Sequence, residues 1–349
     1  MHPHGDHPLA GRFNALDPFK ILDVVHLPGL TPTGRIIALN SYENRVYQID
    51  AEDAEGRLRS LVGKFYRPGR WSRAALEDEH DFLFDLDEAG VPVALPLFLD
   101  DGETTVGELT GEAEGICYAL FDKVPGRAPE ELTDLELAEL GQALGRVHAV
   151  GAQHAAPDRP VLSPQTHGWD NLSFLLENDR LPLQARDTYA GIAEALLDRI
   201  GPLFEGVPVH RIHGDCHKGN LIRRGGNRRR AGLSHDLVFL DFDDLTIGPA
   251  VQDIWLIAPD SDAEGHRQRL LLTDGYRQER DFDPHWLTLV EPLRGLRMMH
   301  YATWIARRFD DPTFRRTFDY FGTVRYWQSQ AADLREVLAR LDREPDDFS

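Results

Sequence analysis

Twice near the middle of the chain a short apolar run of strand length ends in carboxylates. The first is VHRIHGDCHKGN, residues 209–220, which delivers Asp215 and Asn220. The second is LVFLDFDDLTIGPAVQDIW, residues 237–255, which delivers Asp241, Asp243 and Asp244. A loop Asp followed five residues later by Asn, then a second Asp leaving a strand, is what phosphoryl transfer from a metal–nucleotide complex requires. One Asp accepts the proton of the attacking hydroxyl. The Asn and the later Asp hold the cation. These groups meet only if the two segments lie antiparallel, as an intervening hairpin permits.

The flanking chain reads as two different halves. Upstream, GRIIALN and RVYQI predict strands separated by the polar turn Asn40–Asn44. LRSLVGKFY, Leu58–Tyr66, predicts another strand with Lys64 near its end. Helical spacing over Ser72–Ala89 puts Glu79 on one face with Leu76 and Leu83, toward the sheet that carries Lys64; Glu77 is its competitor. A buried-facing Glu opposite a strand Lys is an ion pair that positions the Lys for phosphates. Strands follow at 104–109 and 116–121, and DKVPGR, 122–127, reads as a linker.

Downstream the pattern turns helical. Thr133 with Glu136 forms a capping box, and Leu135, Leu140, Leu144 and Val147 continue an apolar stripe to His148, a packing or hydrogen-bonding group at the helix end. The segment QTHGWDNLSFLLENDRLPLQARD, residues 165–187, reads as a surface excursion with a short helix, and a further helix is predicted over Asp187–Ile200. Further helices are predicted over 265–278, 285–309 (a pair interrupted near Pro292) and 315–341. The expected architecture is α+β and bilobal. A disordered tail, 1–15, precedes a strand-rich N-lobe with one main helix, 16–121. The linker 122–127 leads to a larger helical C-lobe, 128–343, and a short tail, 344–349.

Composition removes several classes. A length of 349 residues exceeds one typical domain. A formal charge of -20 argues against a nucleic-acid partner, because phosphate neutralisation needs a basic surface. The basic stretch 223–236 is too short to change that and reads as a hairpin tip. No apolar run is long enough to span a membrane, the N-terminus lacks an apolar leader, and two cysteines make no disulfide framework. The cytoplasm is therefore the expected compartment. There is no P-loop motif, no GxGxxG after the first strand, no HExxH and no GxSxG. One rival survives: His213, Asp215 and His217, alternating in an extended segment, converge on zinc or iron and serve a hydrolase with Asp241 and Asp243. That reading leaves unexplained why a strand-rich half with Lys and Glu precedes a helical half. A nucleotide lying in the cleft between two lobes explains it.

The motifs NSYENRVYQI, VGKFYRPGRW, EDEHDF, HGDCHKGN and DFDDLTIGPAVQDIW occur in this order. Together they resemble the aminoglycoside-phosphotransferase branch of the protein-kinase-like fold and, more narrowly, the bacterial stress-response serine/threonine kinases within it. The resemblance implies ATP and Mg2+ as cofactors. It implies that Asp215 orients or deprotonates the acceptor, and that Asn220 and Asp241 bind the metal. Lys64 contacts the α/β-phosphates, held by Glu79. The turn from Ser41 to Asn44 replaces a Gly-rich loop, and backbone near Phe121 meets the adenine. His213 supports the loop with Asp253 behind it, and Asp243 either touches the metal or caps the next turn. The implied acceptor is a Ser/Thr hydroxyl of a protein, or of the kinase itself. Small-molecule phosphotransferases of the same branch are the alternative; a silent nucleotide-binding scaffold is disfavoured because no catalytic residue is missing. A protein acceptor asks for an open, acid-lined cleft, and a small molecule for a closed pocket roofed by 163–200.

Overall fold

In a strand, alternate side chains face opposite sides, so the Leu58–Phe65 strand sends Leu61 and Phe65 one way and Lys64 the other. The smaller lobe of the computed structural model is built on that alternation. The structure describes residue 13 and residues 15–25, 27, 29–39, 41, 43–99, 102–224 and 237–342. The expected tails (all of 1–12 and 344–349), positions 40 and 42 of the polar turn, and residues 225–236 of the basic stretch lie outside the described residues.

The small lobe contains α1 (Pro18–Asp23), β1 (Leu30–Leu39), β2 (Arg45–Asp53), β3 (Leu58–Phe65), α2 (Arg73–Glu88), β4 (Gly107–Glu108) and β5 (Cys117–Asp122). Its five-stranded antiparallel sheet has the order β1-β2-β3-β5-β4. Ile49, Leu61, Phe65 and Leu120 pack on one face, with Ile21 of α1. On the other, Leu76 of α2 packs with Tyr66, Val106 and Ala119. Ser72 caps α2 by accepting from the Ala75 N–H, and Gly90, with φ of 75°, follows its end. The fourth strand is shorter than the predicted 104–109.

The larger lobe is helical: α3 (Asp134–Gly151), α4 (Asp170–Glu177), α5 (Leu183–Ile200), α6 (Val251–Ile257), α7 (Ala263–Tyr276), α8 (Val290–Arg308), α9 (Pro312–Thr317) and α10 (Val324–Leu341). Two small antiparallel pairs sit among them. β6 (Val209–Ile212) pairs with β9 (Thr246–Pro249), and β7 (Leu221–Arg223) with β8 (Leu237–Phe239). The two motif segments are thus the antiparallel neighbours that their chemistry requires. α3 and α7 cross at a glycine contact: a Cβ on Gly141 would lie 1.9 Å from the Leu272 carbonyl oxygen, and one on Gly275 the same distance from that of Ala138.

The structure corrects three helical expectations. The capping box of α3 forms, but Leu135 is 68% exposed and the buried stripe starts at Leu137. Residues 165–187 are not a surface excursion. Leu172, Leu175, Leu181 and Ala185 are buried in the main core, while the polar residues that suggested a loop bond locally, as Asn171 does to the His167 carbonyl. The helix expected over 187–200 forms within α5. Pro292 does not split its helix, because it falls in the first turn of α8, where a missing N–H costs little. No helix among the described residues is long and apolar enough to cross a membrane.

Candidate active site

Pairing of β7 with β8 places Leu221 opposite Phe239, and the Leu240 N–H donates to the Asn220 carbonyl at 2.9 Å. Asn220 and Asp241 therefore leave neighbouring strand ends together. Asp241 adopts the left-handed conformation, φ 58° and ψ 68°, which non-glycine residues seldom occupy. That turn exposes its carboxylate to the cleft, 53% accessible.

The loop before Asn220 is fastened from below. Asp253, fully buried at the start of α6, accepts from the His213 N–H at 2.8 Å, from the Gly214 N–H at 2.9 Å, and pairs with His148 Nε2 at 3.0 Å. Gln252 Nε2 donates to the Gly214 carbonyl at 3.0 Å. Gly214 has φ of 84°, and a Cβ there would lie 2.1 Å from the Asp244 carbonyl oxygen, so only glycine fits. The His213 ring is committed as well. Nε2 donates to the Leu240 carbonyl at 2.9 Å, and Nδ1 accepts from the Asp215 N–H at 3.4 Å. Asp253 thus supports His213 through its backbone, not its ring. Cys216 is buried, and burial holds its thiol well above the ordinary range, so it packs and does not react.

Asp215 stands at the top of this loop. His217 Nε2 lies 3.4 Å from Oδ2, and Arg297 Nη2 2.7 Å from Oδ1. Burial alone would raise its pKa, but the His217 hydrogen bond and the Arg297 guanidinium hold it at about 2. It is ionised at neutral pH. Asn220 Nδ2 donates to the Asp215 carbonyl at 3.0 Å, and its Oδ1 accepts no hydrogen bond among the described residues.

Across the cleft, Lys64 Nζ lies 2.7 Å from Asp241, 3.5 Å from Asp243 and 3.7 Å from Glu79. Burial would lower its pKa, yet these carboxylates keep the ammonium well above its usual value. The predicted Lys64–Glu79 approach forms, although Asp241 is nearer. Glu79 is shared with Arg159, 3.1 Å away, a buried residue that also donates to the carbonyls of Ala75 and Asp243. Asp243 is bound by Arg70 and by Asn44 Nδ2, the latter at 3.1 Å, and its Oδ1 is buried without a hydrogen-bond partner. The amide of Asn44 is thereby occupied: its Oδ1 accepts from the Arg67 N–H. Ser41 Oγ accepts from the Asn44 N–H. Phe121 lies edge-on to His80, and the adjacent Leu120 carbonyl already accepts from the Leu97 N–H.

Ser41, Asn44, Lys64, Glu79, Phe121, Asp215, Asn220, Asp241 and Asp243 all line one cleft of about 2790 Å³. His213 and Asp253 lie beneath it. This volume exceeds the 300–1,000 Å³ typical of a single small-ligand pocket, leaving room for a nucleotide and a second reactant. The donors fit a hard cation: a half-exposed Asp carboxylate, an unoccupied amide oxygen beside it, and an Asp243 carboxylate oxygen that accepts no hydrogen bond and faces Lys64 at 3.5 Å. The zinc or iron arrangement does not form. Among the described residues no three His, Cys, Asp or Glu side chains are placed to hold a metal, and the His213 nitrogens are used elsewhere. Nor is the lining beside Asp215 purely acidic. Arg294, Arg297, Arg307 and Arg308 of α8 line the cleft, and so do residues 166–177, which pack on α8 and bring Asp170 and Glu177. Arg70, Arg159 and Arg297 had no signal in the sequence, since their partners lie 173, 80 and 82 residues away.

A model of the phosphotransferase enzyme family matches residues 35–289. Stress response kinase A of Escherichia coli strain K12 is 33% identical over 344 residues, 96% of this chain and 97% of that protein. The serine/threonine protein kinase RdoA of Salmonella typhimurium is 32% identical over 337 residues, with the same shares covered. Among solved structures, an amicoumacin kinase in complex with AMP-PNP and Ca2+ has a TM-score of 0.68 at 21% identity, covering 99% of this chain and 97% of that one. A microcompartment-associated aminopropanol kinase has a TM-score of 0.63 at 17% identity, covering 88% and 93%. These two likenesses establish the shared bilobal fold.

Proposed function

The chain belongs to the phosphotransferase enzyme family and is an ATP-dependent phosphotransferase related to stress response kinase A, and from that premise we propose that its acceptor is a serine or threonine hydroxyl of a protein. The observation that carries this reading is full-length likeness, at 32% identity, to a serine/threonine protein kinase. The geometry supports the transfer itself, with Asp215, Lys64, Asn220 and Asp241 on one cleft.

In this reading Asp215 accepts a hydrogen bond from the incoming hydroxyl and orients its oxygen toward the γ-phosphorus. As the new P–O bond forms and the bond to the ADP oxygen breaks, the hydroxyl proton passes to Asp215. A carboxyl held near 2 is a weak base, so its main work is orientation. Lys64 meets the nucleotide phosphates, exchanging Asp241 for them, with Glu79 and Arg159 keeping it in place. Asn220 and Asp241 would hold Mg2+, which when bound neutralises phosphate charge. Asp243 is a support of the Lys64 and Arg70 cations. Asn44 bridges its loop to Asp243, and the backbone after Phe121 meets the adenine edge. We assign residues 16–121 and 128–343 to the two lobes, 122–127 to the hinge, and the cytoplasm as the compartment.

A second reading is a small-molecule acceptor, favoured by residues 166–177, which line the same cleft as Asp215. One assay separates the two. With γ-labelled ATP and Mg2+, protein serine or threonine should be labelled, and Asp215→Asn should reduce transfer roughly 10²–10⁴-fold. Label confined to a small alcohol would move the function to the second reading.

A further inference from the structure

Any acceptor hydroxyl must come within hydrogen-bond reach of Asp215. Arg297 is already there, 2.7 Å from Oδ1, and its side chain is 42% exposed to the cleft. Among the described residues Asp215 is the only acid it pairs with. An acceptor seated on Asp215 therefore touches a guanidinium.

Arg297 is one of several cations on this wall. Eleven residues further along α8 the helix returns to nearly the same side, at Arg308, with Arg307 turned about 80° from it, and both line the cleft. They differ in one respect. Arg308 is neutralised by Glu43 at 2.8 Å. Arg307 makes no ion pair among the described residues; its guanidinium lies over the Phe174 ring, 4.0 Å from the centroid. Burial lowers its pKa, and Asp170, at the start of α4, only partly opposes this. A guanidinium in that position is short of an anion.

A cationic acceptor would bring like charge against this wall, and an anionic one would complete it. We propose that the acceptor segment is acidic: a serine or threonine flanked by carboxylates that are received by Arg297 and Arg307. This deepens the protein-kinase reading and rests on it. It also runs against the acid-lined cleft expected for a protein acceptor. After allowance for solvent screening, one such charge contact is worth about two- to fivefold in kcat/KM, and two together about tenfold.

The test uses the full chain with ATP and Mg2+ and serine peptides of equal length whose flanking residues are acidic, neutral or basic. A pair of small alcohols, glycerate and aminopropanol, is run beside them. The expected order of kcat/KM is acidic, neutral, basic, with about tenfold between steps. Arg307→Gln should raise KM for the acidic peptide alone and leave kcat in place, because Arg307 does not touch Asp215. Arg297→Lys should retain part of the acidic preference that Arg297→Gln loses. A basic peptide equal to or better than the acidic one in the unmodified protein overturns the inference. So does an Arg307→Gln effect that falls equally on all peptides, or no transfer to any anionic acceptor. If only small alcohols are labelled, the protein-kinase reading fails. In that case preference for glycerate sustains anion recognition at this wall, and preference for aminopropanol removes it.

Discussion

The loop 213–220 and the Lys64 cluster face each other across one cleft, yet they are held by different forces. The loop rests on buried hydrogen bonds to backbone: Asp253 accepts from two successive N–H groups, and Gln252 donates to the carbonyl that follows them. Such contacts leave desolvated polar groups behind if they break, so the loop keeps one geometry or loses it. The Lys64 cluster is ionic and over-supplied with acids. One ammonium faces Asp241, Asp243 and Glu79 at 2.7, 3.5 and 3.7 Å, and Arg70 and Arg159 balance the surplus. Charges of this kind exchange partners at modest cost. The contrast suits the two tasks. An attacking hydroxyl must be aimed within tenths of an ångström, whereas a phosphate chain must displace existing partners on entry.

The largest effect expected from breaking this contrast is at Asp253. Asp253→Ala strands two backbone N–H groups and the His148 ring in a fully buried site. Each stranded group costs about 1–3 kcal/mol, and the sum is expected to be roughly 3–5 kcal/mol after relaxation. Urea unfolding of the variant measures it. A loss under about 1 kcal/mol would show that the loop is not pinned in the way described.

Lys64→Met should be smaller in stability and specific in kinetics. Methionine keeps the apolar stem and removes the ammonium, and Arg70 and Arg159 remain to balance the acids. The expected result is a raised KM for ATP and a fall of about 10²-fold in kcat/KM, from loss of one charge contact to the phosphates. Initial rates across an ATP series check it. Unchanged nucleotide kinetics would assign Lys64 to the lobe interface alone.

What the sequence made legible follows the same division. Asp215, Asn220, Asp241, Lys64 and Glu79, which the fold brings to one cleft, could be singled out as candidates because each lies in a short segment whose spacing announces it. A strand ends, a turn follows, and the chemistry sits at the junction. The α+β bilobal architecture was legible for the same reason, through period-2 runs upstream and capped helical stripes downstream. Residues 165–187 were misread because local hydrogen bonds of Ser163, Thr166 and Asn171 give a core segment the composition of a loop. Arg159, Arg70 and Arg297 were invisible because an arginine's role is set by what the fold brings to it. Glu43 bonds residues 261 and 265 positions away, a relation that no window on the chain contains.

Glu43 provides the smallest and sharpest test. It sits in the turn before β2, and its carboxylate reaches Arg67 at 2.9 Å on its own lobe. On the other lobe it meets Trp304 Nε1 at 2.5 Å and Arg308 at 2.8 Å, both on α8. Burial would raise its pKa, but Arg70, Arg308 and Arg67 hold it below the usual carboxylate range. The turn before β2 is thus tied to α8, the helix that carries Arg297. The pairs are 10–15% exposed, so they are worth less than a fully buried network. Glu43→Gln keeps the shape and removes the charge, and it should cost about 1–2 kcal/mol of stability by urea unfolding. Its kinetic effect should be a shift in KM for both reactants, because one tie spans both sides of the cleft. A change in KM for ATP alone would make Glu43 a part of the nucleotide turn and return the two halves of the cleft to independence.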